Sequence, residues 1–285
     1  MIFRDKTVII TGASEGIGAA AARKFASAGA NLVLVARNKK NLEAVAEELR
    51  DKSQVEIFAM DVSDDEACVD LFKKADFEFG RVDILVNNAG CHSRGEVETV
   101  SADDLGRMID VNLKAPIILT RRALPYLRKA KGGVIVNVAS LAGRTPVPGS
   151  ATYSASKFGL RIFTFALAEE LRGTNIKVAA ISPGPVDTGF IMGDIDNTPP
   201  MTFSQPMSTA DEVAQGILDL CGNNQRELAM PGSSGFLATL GYLLPWLRRA
   251  LWPYLERKGQ RAKNVLKTKA RATAKAEAEK ESDPT

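Results

Sequence analysis

Three side chains in the middle of the chain have the types and spacing of a proton-transfer site. Tyr153 and Lys157 are four residues apart at the start of a predicted helix, so they share one helix face. Ser140 directly follows an apolar run that suits a buried strand, and its hydroxyl can hold a carbonyl or alcohol oxygen. A nearby ammonium favours phenolate, so we expect Lys157 to lower the pKa of Tyr153 and make it a usable acid or base. Tyr-x-x-x-Lys also arises by chance on helices, so this interpretation depends on the surrounding elements.

The glycine-rich segment near the N-terminus predicts a phosphate-binding turn. A β-branched run at residues 6–11 leads into Gly12-x-x-x-Gly16-x-Gly18, which is followed by a predicted helix and a second buried strand. Glycines let the backbone approach a pyrophosphate, and a helix N-terminus offers free N–H groups. The spacing differs from the usual Gly-x-Gly-x-x-Gly, so the alternative is a packing turn that binds no ligand.

The end of the second predicted strand favours NADP over NAD. An NAD site would place a carboxylate there for the ribose 2′-hydroxyl, but the segment reads Ala36-Arg37-Asn38. The planar guanidinium of Arg37 can instead pair with a 2′-phosphate. The alternative is that Arg37 is a solvated surface residue.

Later strands also end in residues suited to a ligand edge. The third ends at Asp61-Val62, where the Asp61 carboxylate can accept a hydrogen bond from a purine amino group. The fourth is followed by the small-residue turn 87–90, which allows close backbone approach. Between them and the fifth strand, Asn112 lies in a long predicted helix close to Pro116, which favours a local kink with a freed carbonyl that can hold a water.

The alternation of strands and helices predicts an α/β fold, a single Rossmann-like doubly wound parallel sheet of about seven strands with helices on both faces. With its motifs in this order, the chain resembles the classical short-chain dehydrogenase/reductases over residues 4–232. The motifs that carry the resemblance are Thr11–Gly18, Asp61-Val62, Asn87–Gly90, Asn112, Ser140, Tyr153–Lys157, Pro183-Gly184 and Thr188.

The resemblance implies an oxidoreductase that interconverts a ketone and a secondary alcohol. It implies Tyr153 as general acid or base, Lys157 on the nicotinamide ribose, Ser140 on the substrate oxygen, and Asn112 holding a water in a proton relay. The residues that it places at an NADP(H) site are Gly12, Ser14, Glu15, Gly16, Ile17, Gly18, Arg37, Asp61, Val62, Asn88, Ala89, Gly90, Tyr153, Lys157, Pro183, Gly184, Val186 and Thr188. Glu15 stands where many NADP-preferring members carry a basic residue, so Arg37 is the main support for NADP, and NAD(H) is the less favoured cofactor. His92, the single histidine, follows the turn at 87–90 and could reach the substrate cleft, but the family needs no histidine, so we expect a loop residue without a chemical role.

The chain continues well beyond the part that resembles this family. We expect a catalytic domain at 1–232, an apolar and basic extension at 233–267, and a charged tail at 268–285 that is disordered or a solvated helix. Residues 228–247 contain no charged residue, but their glycines and prolines argue against a membrane-spanning helix. The extension either lies on a bilayer with its basic residues toward anionic headgroups, or covers the substrate pocket or a subunit interface.

The extension also bears on the substrate. It resembles the hydrophobic C-terminal portions of lipid-ketone reductases such as 3-ketodihydrosphingosine reductases, which predicts a hydrophobic substrate such as an acyl ketone, a sterol-like ring or 3-keto-sphinganine. Two alternatives remain: a reductase of small polar ketones, and an NAD(P)-binding regulatory or scaffold protein attached to a membrane. The complete set of Asn112, Ser140, Tyr153 and Lys157 argues against the latter.

Composition narrows the setting and the partners. The net charge of the 285 residues is +3, too small to indicate nucleic acid, and it is uneven: residues 248–285 carry +6 and the rest carry −3. Cys68, Cys91 and Cys221 form neither a metal-binding pattern nor a disulfide framework, so we expect no metal and a reducing compartment. The expected location is the cytoplasm, with contact to the inner face of a membrane as an option, and the family resemblance implies a homodimer or homotetramer.

Overall fold

The main sheet has seven parallel strands in the order β3-β2-β1-β4-β5-β6-β9. A computed structural model describes the backbone of residues 3–281 and the side chains of residues 3–268. The strands of the main sheet are β1 (Thr7–Thr11), β2 (Asn31–Ala36), β3 (Val55–Ala59), β4 (Ile84–Asn87), β5 (Gly133–Val138), β6 (Ile176–Pro183) and β9 (Glu227–Met230). A separate short parallel pair consists of β7 (Val186–Asp187) and β8 (Ser208–Thr209). The doubly wound parallel sheet predicted from the sequence is confirmed.

Helices cover both faces of this sheet. They are α1 (Gly16–Ser27), α2 (Lys39–Leu49), α3 (Asp65–Phe79), α4 (Ala102–Ile109), α5 (Ala115–Lys129), α6 (Ala151–Glu170), α7 (Gly189–Met192), α8 (Ala210–Gly222), α9 (Gly232–Leu243) and α10 (Pro245–Glu281). Alternate side chains of each strand enter opposite cores: Ile10 and Leu34 pack with α1, α2 and α8, whereas Ile9 and Val33 pack with α3 and α5. Strands buried on both faces need apolar residues at nearly every position, which is the pattern in the sequence.

The strand order reverses between β1 and β4, which both lie at the centre of the sheet. At such a reversal the connections from the two strands leave toward opposite faces, so a crevice opens beyond their carboxyl ends. The glycine-rich turn after β1 and the turn after β4 therefore meet at one place.

The long helix predicted over residues 101–129 is interrupted. The chain passes through a π-helical turn at Asp110–Lys114, between α4 and α5. A π turn widens the helix by one residue and is common at functional sites. The irregularity predicted near Asn112 is therefore present, but it comes from a widened turn at Asn112 itself, and Pro116 lies at the start of α5, where a proline is tolerated.

The segment between β7 and β8 contains more regular structure than its sequence indicates. It holds α7 and a 3₁₀ turn at Pro200–Ser204. This turn is covered by α10, which approaches so closely that a Cβ on Gly259 would lie 1.9 Å from the Pro200 carbonyl oxygen. The Nζ of Lys263 donates hydrogen bonds of 2.8 Å to the carbonyl oxygens of Asp196 and Thr198. Long-range contact with α10, rather than local periodicity, orders this segment.

The expected extension packs against the main sheet. A Cβ on Gly235 would lie 2.3 Å from the Cβ of Ala229, so α9 lies directly against β9. The tail expected at 268–285 begins inside α10, whose backbone is helical to Glu281; its last four residues and the side chains of 269–281 lie outside the described residues. Across the described residues, helices fall short of the combined length and apolarity that crossing a bilayer requires.

Candidate active site

A cavity of about 930 Å³ opens beyond the carboxyl ends of the central strands. Eighteen of the twenty residues predicted for catalysis or cofactor binding line it: Gly12, Ser14, Glu15, Gly16, Ile17, Arg37, Asp61, Val62, Asn88, Ala89, Gly90, Ser140, Tyr153, Lys157, Pro183, Gly184, Val186 and Thr188. The other two, Gly18 and Asn112, lie behind the cavity wall and contact residues that form it. The sheet edge therefore gathers residues that are spread over most of the chain.

Ser140, Tyr153 and Lys157 come together at the end of β5. Tyr153 lies in the first turn of α6, and its hydroxyl is close enough to the Ser140 side chain for Ser140 to act on its pKa. Lys157, one helical turn later, donates a 2.9 Å hydrogen bond from Nζ to the carbonyl oxygen of Val138, and its Nζ lies 5.9 Å from the centre of the Tyr153 ring. This geometry brings a proton donor, a hydroxyl and a buried cation to one wall of the cavity.

The expected lowering of the Tyr153 pKa does not occur in this structure. Burial raises the pKa of Tyr153 above its ordinary value, and the Ser140 side chain opposes this only in part. Burial also lowers the pKa of Lys157 to about 8. The prediction was wrong for this state because burial is the largest influence on the Tyr153 pKa, while the Lys157 ammonium donates its hydrogen bond to the Val138 carbonyl oxygen.

Asn112 fixes the turn after β4 from behind. Its Oδ1 accepts a 2.9 Å hydrogen bond from the Cys91 N–H, and its Nδ2 donates a 2.8 Å bond to the Cys91 carbonyl. The side chain is fully buried, and a Cβ on Gly90 would lie 3.2 Å from its Oδ1. The water that we expect beside Asn112 stays a prediction; the side chain itself holds the backbone of the cavity wall in place.

The glycine-rich turn fits a dinucleotide phosphate. Gly12 has a φ of +66°, and a Cβ there would lie 2.9 Å from the Ala89 Cα. A Cβ on Gly18 would lie 2.0 Å from the Gly12 carbonyl oxygen, which brings the start of α1 against the turn. The Glu15 side chain does not cap α1, so the N–H groups of its first turn remain available to an anion.

Asn88 closes this turn from the β4 side. Its Nδ2 donates to the carbonyl oxygens of Thr11 at 2.9 Å and of Gly12 at 3.2 Å. The Asn88 side chain thus joins the two central strands at the point where the strand order reverses. Its predicted place at the cofactor site is consistent with this position, although its amide is used to hold the turn.

Asp61 is engaged by a residue that the sequence analysis did not identify. Its carboxylate accepts hydrogen bonds from the N–H and hydroxyl of Ser63 at 2.9 and 2.7 Å and forms an ion pair with Arg107. Burial would raise the pKa of Asp61, but the Ser63 and Arg107 contacts prevail and lower it to about 2. Asp61 and Arg107 are 46 residues apart, and no local pattern links them. The Asp61 carboxylate, which we expected to be free to accept a hydrogen bond from the cofactor, is therefore partly occupied by Arg107. Arg107 also lines the cavity.

His92 lies directly on the candidate acid, where the sequence indicated only a loop residue. The His92 and Tyr153 rings are stacked with centroids 4.1 Å apart and planes 14° apart. Burial, followed by the charge of Arg94, lowers the pKa of His92 to about 3, so the ring is neutral near pH 7. Its buried Nε2 has no partner in the described structure. Its position after the turn that follows β4 indicated that it could reach the cleft, but the stacking on Tyr153 was not predicted.

The cavity continues from Tyr153 toward the extension. The residues that α9 and α10 contribute to its wall are Ser234, Leu237, Ala238, Leu240, Gly241, Leu247, Arg248, Leu251, Trp252 and Leu255. The segment between β7 and β8 forms another side, held by an ion pair of 2.7 Å between Arg94 and Asp194. This half of the cavity is therefore mainly apolar and is built largely by residues beyond the seven-stranded sheet.

Comparison with known proteins identifies the family of this chain. The family model described as short chain dehydrogenase matches residues 6–198. The chain is 37% identical to an uncharacterized oxidoreductase of Staphylococcus epidermidis over 190 residues, which are 67% of this chain and 82% of that protein. It is 40% identical to sulfoacetaldehyde reductase 2 of Chromohalobacter salexigens over 187 residues, which are 65% of this chain and 74% of that protein.

Solved structures show the same architecture. The crystal structure of levodione reductase has a TM-score of 0.74 and 25% identity, covering 82% of this chain and 98% of that one. A metagenomic short-chain oxidoreductase in complex with NADP has a TM-score of 0.69 and 33% identity, covering 80% and 98%. Since the family model matches more than half of the chain, this protein belongs to the classical short-chain dehydrogenase/reductase family, whose members bind a nicotinamide cofactor.

Proposed function

We propose that this oxidoreductase uses NADP(H) to interconvert a hydrophobic ketone and the corresponding secondary alcohol. The observation that carries the proposal is that Tyr153, Ser140 and Lys157 line one cavity, which is apolar on one side and glycine-lined on the other. The Gly12–Gly18 turn and the start of α1 would hold the cofactor pyrophosphate.

The residues of this chain would manage the proton. When bound, the nicotinamide supplies the hydride that adds to the carbonyl carbon, or accepts it in the reverse direction. Ser140 donates a hydrogen bond to the substrate oxygen, and Tyr153 gives that oxygen its proton in reduction. Lys157 is close enough to stabilise the phenolate that forms, and its pKa of about 8 leaves it mostly charged at pH 7. Asn112 keeps the adjoining backbone in place.

Cofactor choice is proposed to depend on Arg37, which is exposed on the cavity wall beyond β2. Replacing Arg37 by Gln should weaken NADPH binding roughly ten- to hundredfold, because a charge-assisted bidentate contact with the 2′-phosphate is lost. NADH binding should change little. Titration of nicotinamide fluorescence with each cofactor measures both affinities.

A matched control for this substitution is Lys40→Gln. Lys40 is also exposed, but it does not line the cavity. Its replacement by Gln removes one positive charge three residues away from Arg37. It should leave the preference for NADPH intact. A wild-type protein that prefers NADH, or equal losses in the two variants, would overturn the role of Arg37.

The proposal of a hydrophobic substrate can be tested with the two tryptophans of α10, because only one of them lines the cavity. Trp252 lines the cavity, whereas Trp246 does not and its side chain is 66% exposed. Trp252→Ala should lower kcat/KM for a long-chain ketone roughly tenfold and affect a short ketone less, because apolar contact with the chain is lost. Trp246→Ala should retain both activities. Steady-state turnover across a series of ketone chain lengths tests this.

The competing substrate class is a small polar ketone or aldehyde. One relative of this chain carries the name sulfoacetaldehyde reductase. If this chain had a similar substrate, the cavity would have to bind a compact polar molecule. Turnover restricted to short polar compounds, with no effect of Trp252→Ala, would favour this alternative. Turnover that increases with chain length would favour the hydrophobic ketone.

The outer surface of the extension is proposed to contact a membrane. Apolar side chains there are exposed, among them Phe236, Leu243, Trp246 and Tyr254, and the exposed cations Arg249 and Arg257 belong to the same extension. The Trp246→Ala variant should then bind vesicles containing anionic lipid less well than wild type, in a co-sedimentation assay. Equal sedimentation would argue against a membrane contact.

An assembly of identical subunits in the cytoplasm is proposed on similar grounds. Phe158 and Ile162 are exposed on α6, and the Phe158 ring lies 6.1 Å from that of Tyr242 on α9. Such an apolar face suits a subunit interface. The three cysteines are free thiols, and a reducing compartment would keep them in that form.

A further inference from the structure

Arg248 brings a positive charge into the apolar half of the cavity. It lies in the first turn of α10, and its side chain runs along Gly241, where an added Cβ would be 3.7–3.8 Å from three of its carbons. One Nη donates a long hydrogen bond of 3.4 Å to the Pro146 carbonyl oxygen. The Nε is buried without a partner, and no carboxylate within residues 3–268 lies at ion-pair distance from this guanidinium.

The other cations on the cavity wall are accounted for. Arg94 pairs with Asp194 and Arg107 pairs with Asp61. Lys157 donates to a carbonyl oxygen beside Tyr153. Arg37 is assigned above to the cofactor. Arg248 is thus the charge in the substrate half of the cavity whose counter-ion the described protein does not supply.

An arginine in these surroundings is suited to an anion. Among the residues of the extension that line the cavity near it are Leu247, Leu251 and Trp252. Burying a polar N–H without a partner is costly, and a planar guanidinium surrounded by apolar groups binds a carboxylate, sulfonate or phosphate more strongly than it would in water. Pro146, which Arg248 contacts, lies on the segment between Ser140 and Tyr153, so an anion at Arg248 would belong to the substrate that reaches them.

We propose that Arg248 binds an acidic group of the substrate, so that the preferred substrate is an amphiphilic oxo acid with an apolar chain. This inference rests on the proposed ketone reduction and specifies its substrate class. It favours an oxo acid over an amino ketone such as 3-keto-sphinganine, because an ammonium group would be repelled by Arg248. The neighbouring apolar wall accommodates the chain between the acid and the ketone.

The test compares an oxo acid with its methyl ester, and with an amino ketone of the same length, at saturating NADPH. Wild-type protein should show a kcat/KM for the acid roughly tenfold or more above that for the ester, mainly through a lower KM. The amino ketone should be the poorest of the three. In Arg248→Gln, the ratio of acid to ester should fall to about one. Arg261→Gln, which removes an exposed cation of the same helix that does not line the cavity, should retain the wild-type ratio.

A binding measurement keeps the inference separate from catalysis. Calorimetric titration of the corresponding hydroxy acid and its ester into the wild-type protein with bound NADP should show tighter binding of the acid, and Arg248→Gln should remove the difference. Equal binding of acid and ester by the wild type, or a difference that survives Arg248→Gln, would overturn the role of Arg248 even if ketones are reduced. If the protein bound the acid selectively but reduced no ketone, the proposed reaction would be wrong, whereas the anion site at Arg248 would be supported. If Arg248→Gln is unstable, Arg248→Lys can be used instead, because it replaces the planar guanidinium by a single ammonium group. Its ratio of kcat/KM for the acid to that for the ester should lie between those of the wild type and one.

Discussion

Replacing Tyr153 by Phe should lower kcat for ketone reduction by roughly 10²–10⁴-fold while leaving NADPH affinity close to that of the wild type. The substitution removes only the hydroxyl that contacts Ser140 and that we expect to give its proton to the substrate oxygen. A Phe ring would keep the 4.1 Å stacking on His92, so the shape of the cavity should be preserved. Single-turnover oxidation of NADPH, together with a separate NADPH titration, distinguishes loss of chemistry from loss of binding.

Tyr126→Phe is a matched control for this prediction. It removes the same hydroxyl from a half-buried ring that stacks on Phe72 and does not line the cavity. It should retain wild-type turnover. Undiminished reduction by Tyr153→Phe would show that another group provides the proton. NADPH binding by the wild type without reduction of any ketone in the series would favour the regulatory or scaffold alternative.

Replacing Gly18 by Ala should nearly abolish NADPH binding and destabilise the fold. The added Cβ would lie 2.0 Å from the Gly12 carbonyl oxygen and 2.7 Å from Asn88 Nδ2, so the turn or the start of α1 must move. Crowding of this kind costs about 1–3 kcal/mol of unfolding free energy. Because the N–H groups of α1 that should meet the pyrophosphate move with it, we expect NADPH affinity to fall by more than tenfold.

Gly106→Ala provides the control for adding a methyl group to a helical glycine. Gly106 is exposed in α4, and a Cβ there would meet nothing within 4 Å. Alanine should stabilise this helix by about 0.5–1 kcal/mol and leave NADPH binding unchanged. Denaturant unfolding and NADPH titration of both variants give the comparison. Wild-type NADPH affinity in Gly18→Ala would mean that the turn is not part of the cofactor site.

Much of the fold could be predicted because it is encoded by short-range patterns. Runs such as Thr7–Thr11 and Asn31–Ala36 are apolar at nearly every position, which a central parallel strand requires. Glycines at 12, 16 and 18 allow a tight turn before α1, and Tyr153 and Lys157 share a helix face because four residues make about one turn. The residues that line the cofactor side of the cavity were therefore identifiable before their positions were known.

The sequence did not predict how groups distant in the chain meet. Two contacts join segments that are far apart in the chain: the pairing of Asp61 with Arg107 and the stacking of His92 on Tyr153. That the Arg248 Nε is unpaired also depends on the tertiary structure. The direction of the Tyr153 pKa shift was also wrong, because it depends on burial and on where Lys157 points, and neither follows from a four-residue spacing.

The sequence by itself determined the sheet, the glycine turn and the identity of the Ser140, Tyr153 and Lys157 group, since each follows from local periodicity, backbone freedom or spacing. Only the tertiary structure decided that the extension forms a wall of the apolar half of the cavity, with α10 packed on Pro200–Ser204. An apolar helix can cover any apolar surface, because hydrophobic burial has no preferred direction. Its place on this protein is fixed by specific close contacts, such as Gly259 on Pro200 and Lys263 on two carbonyl oxygens.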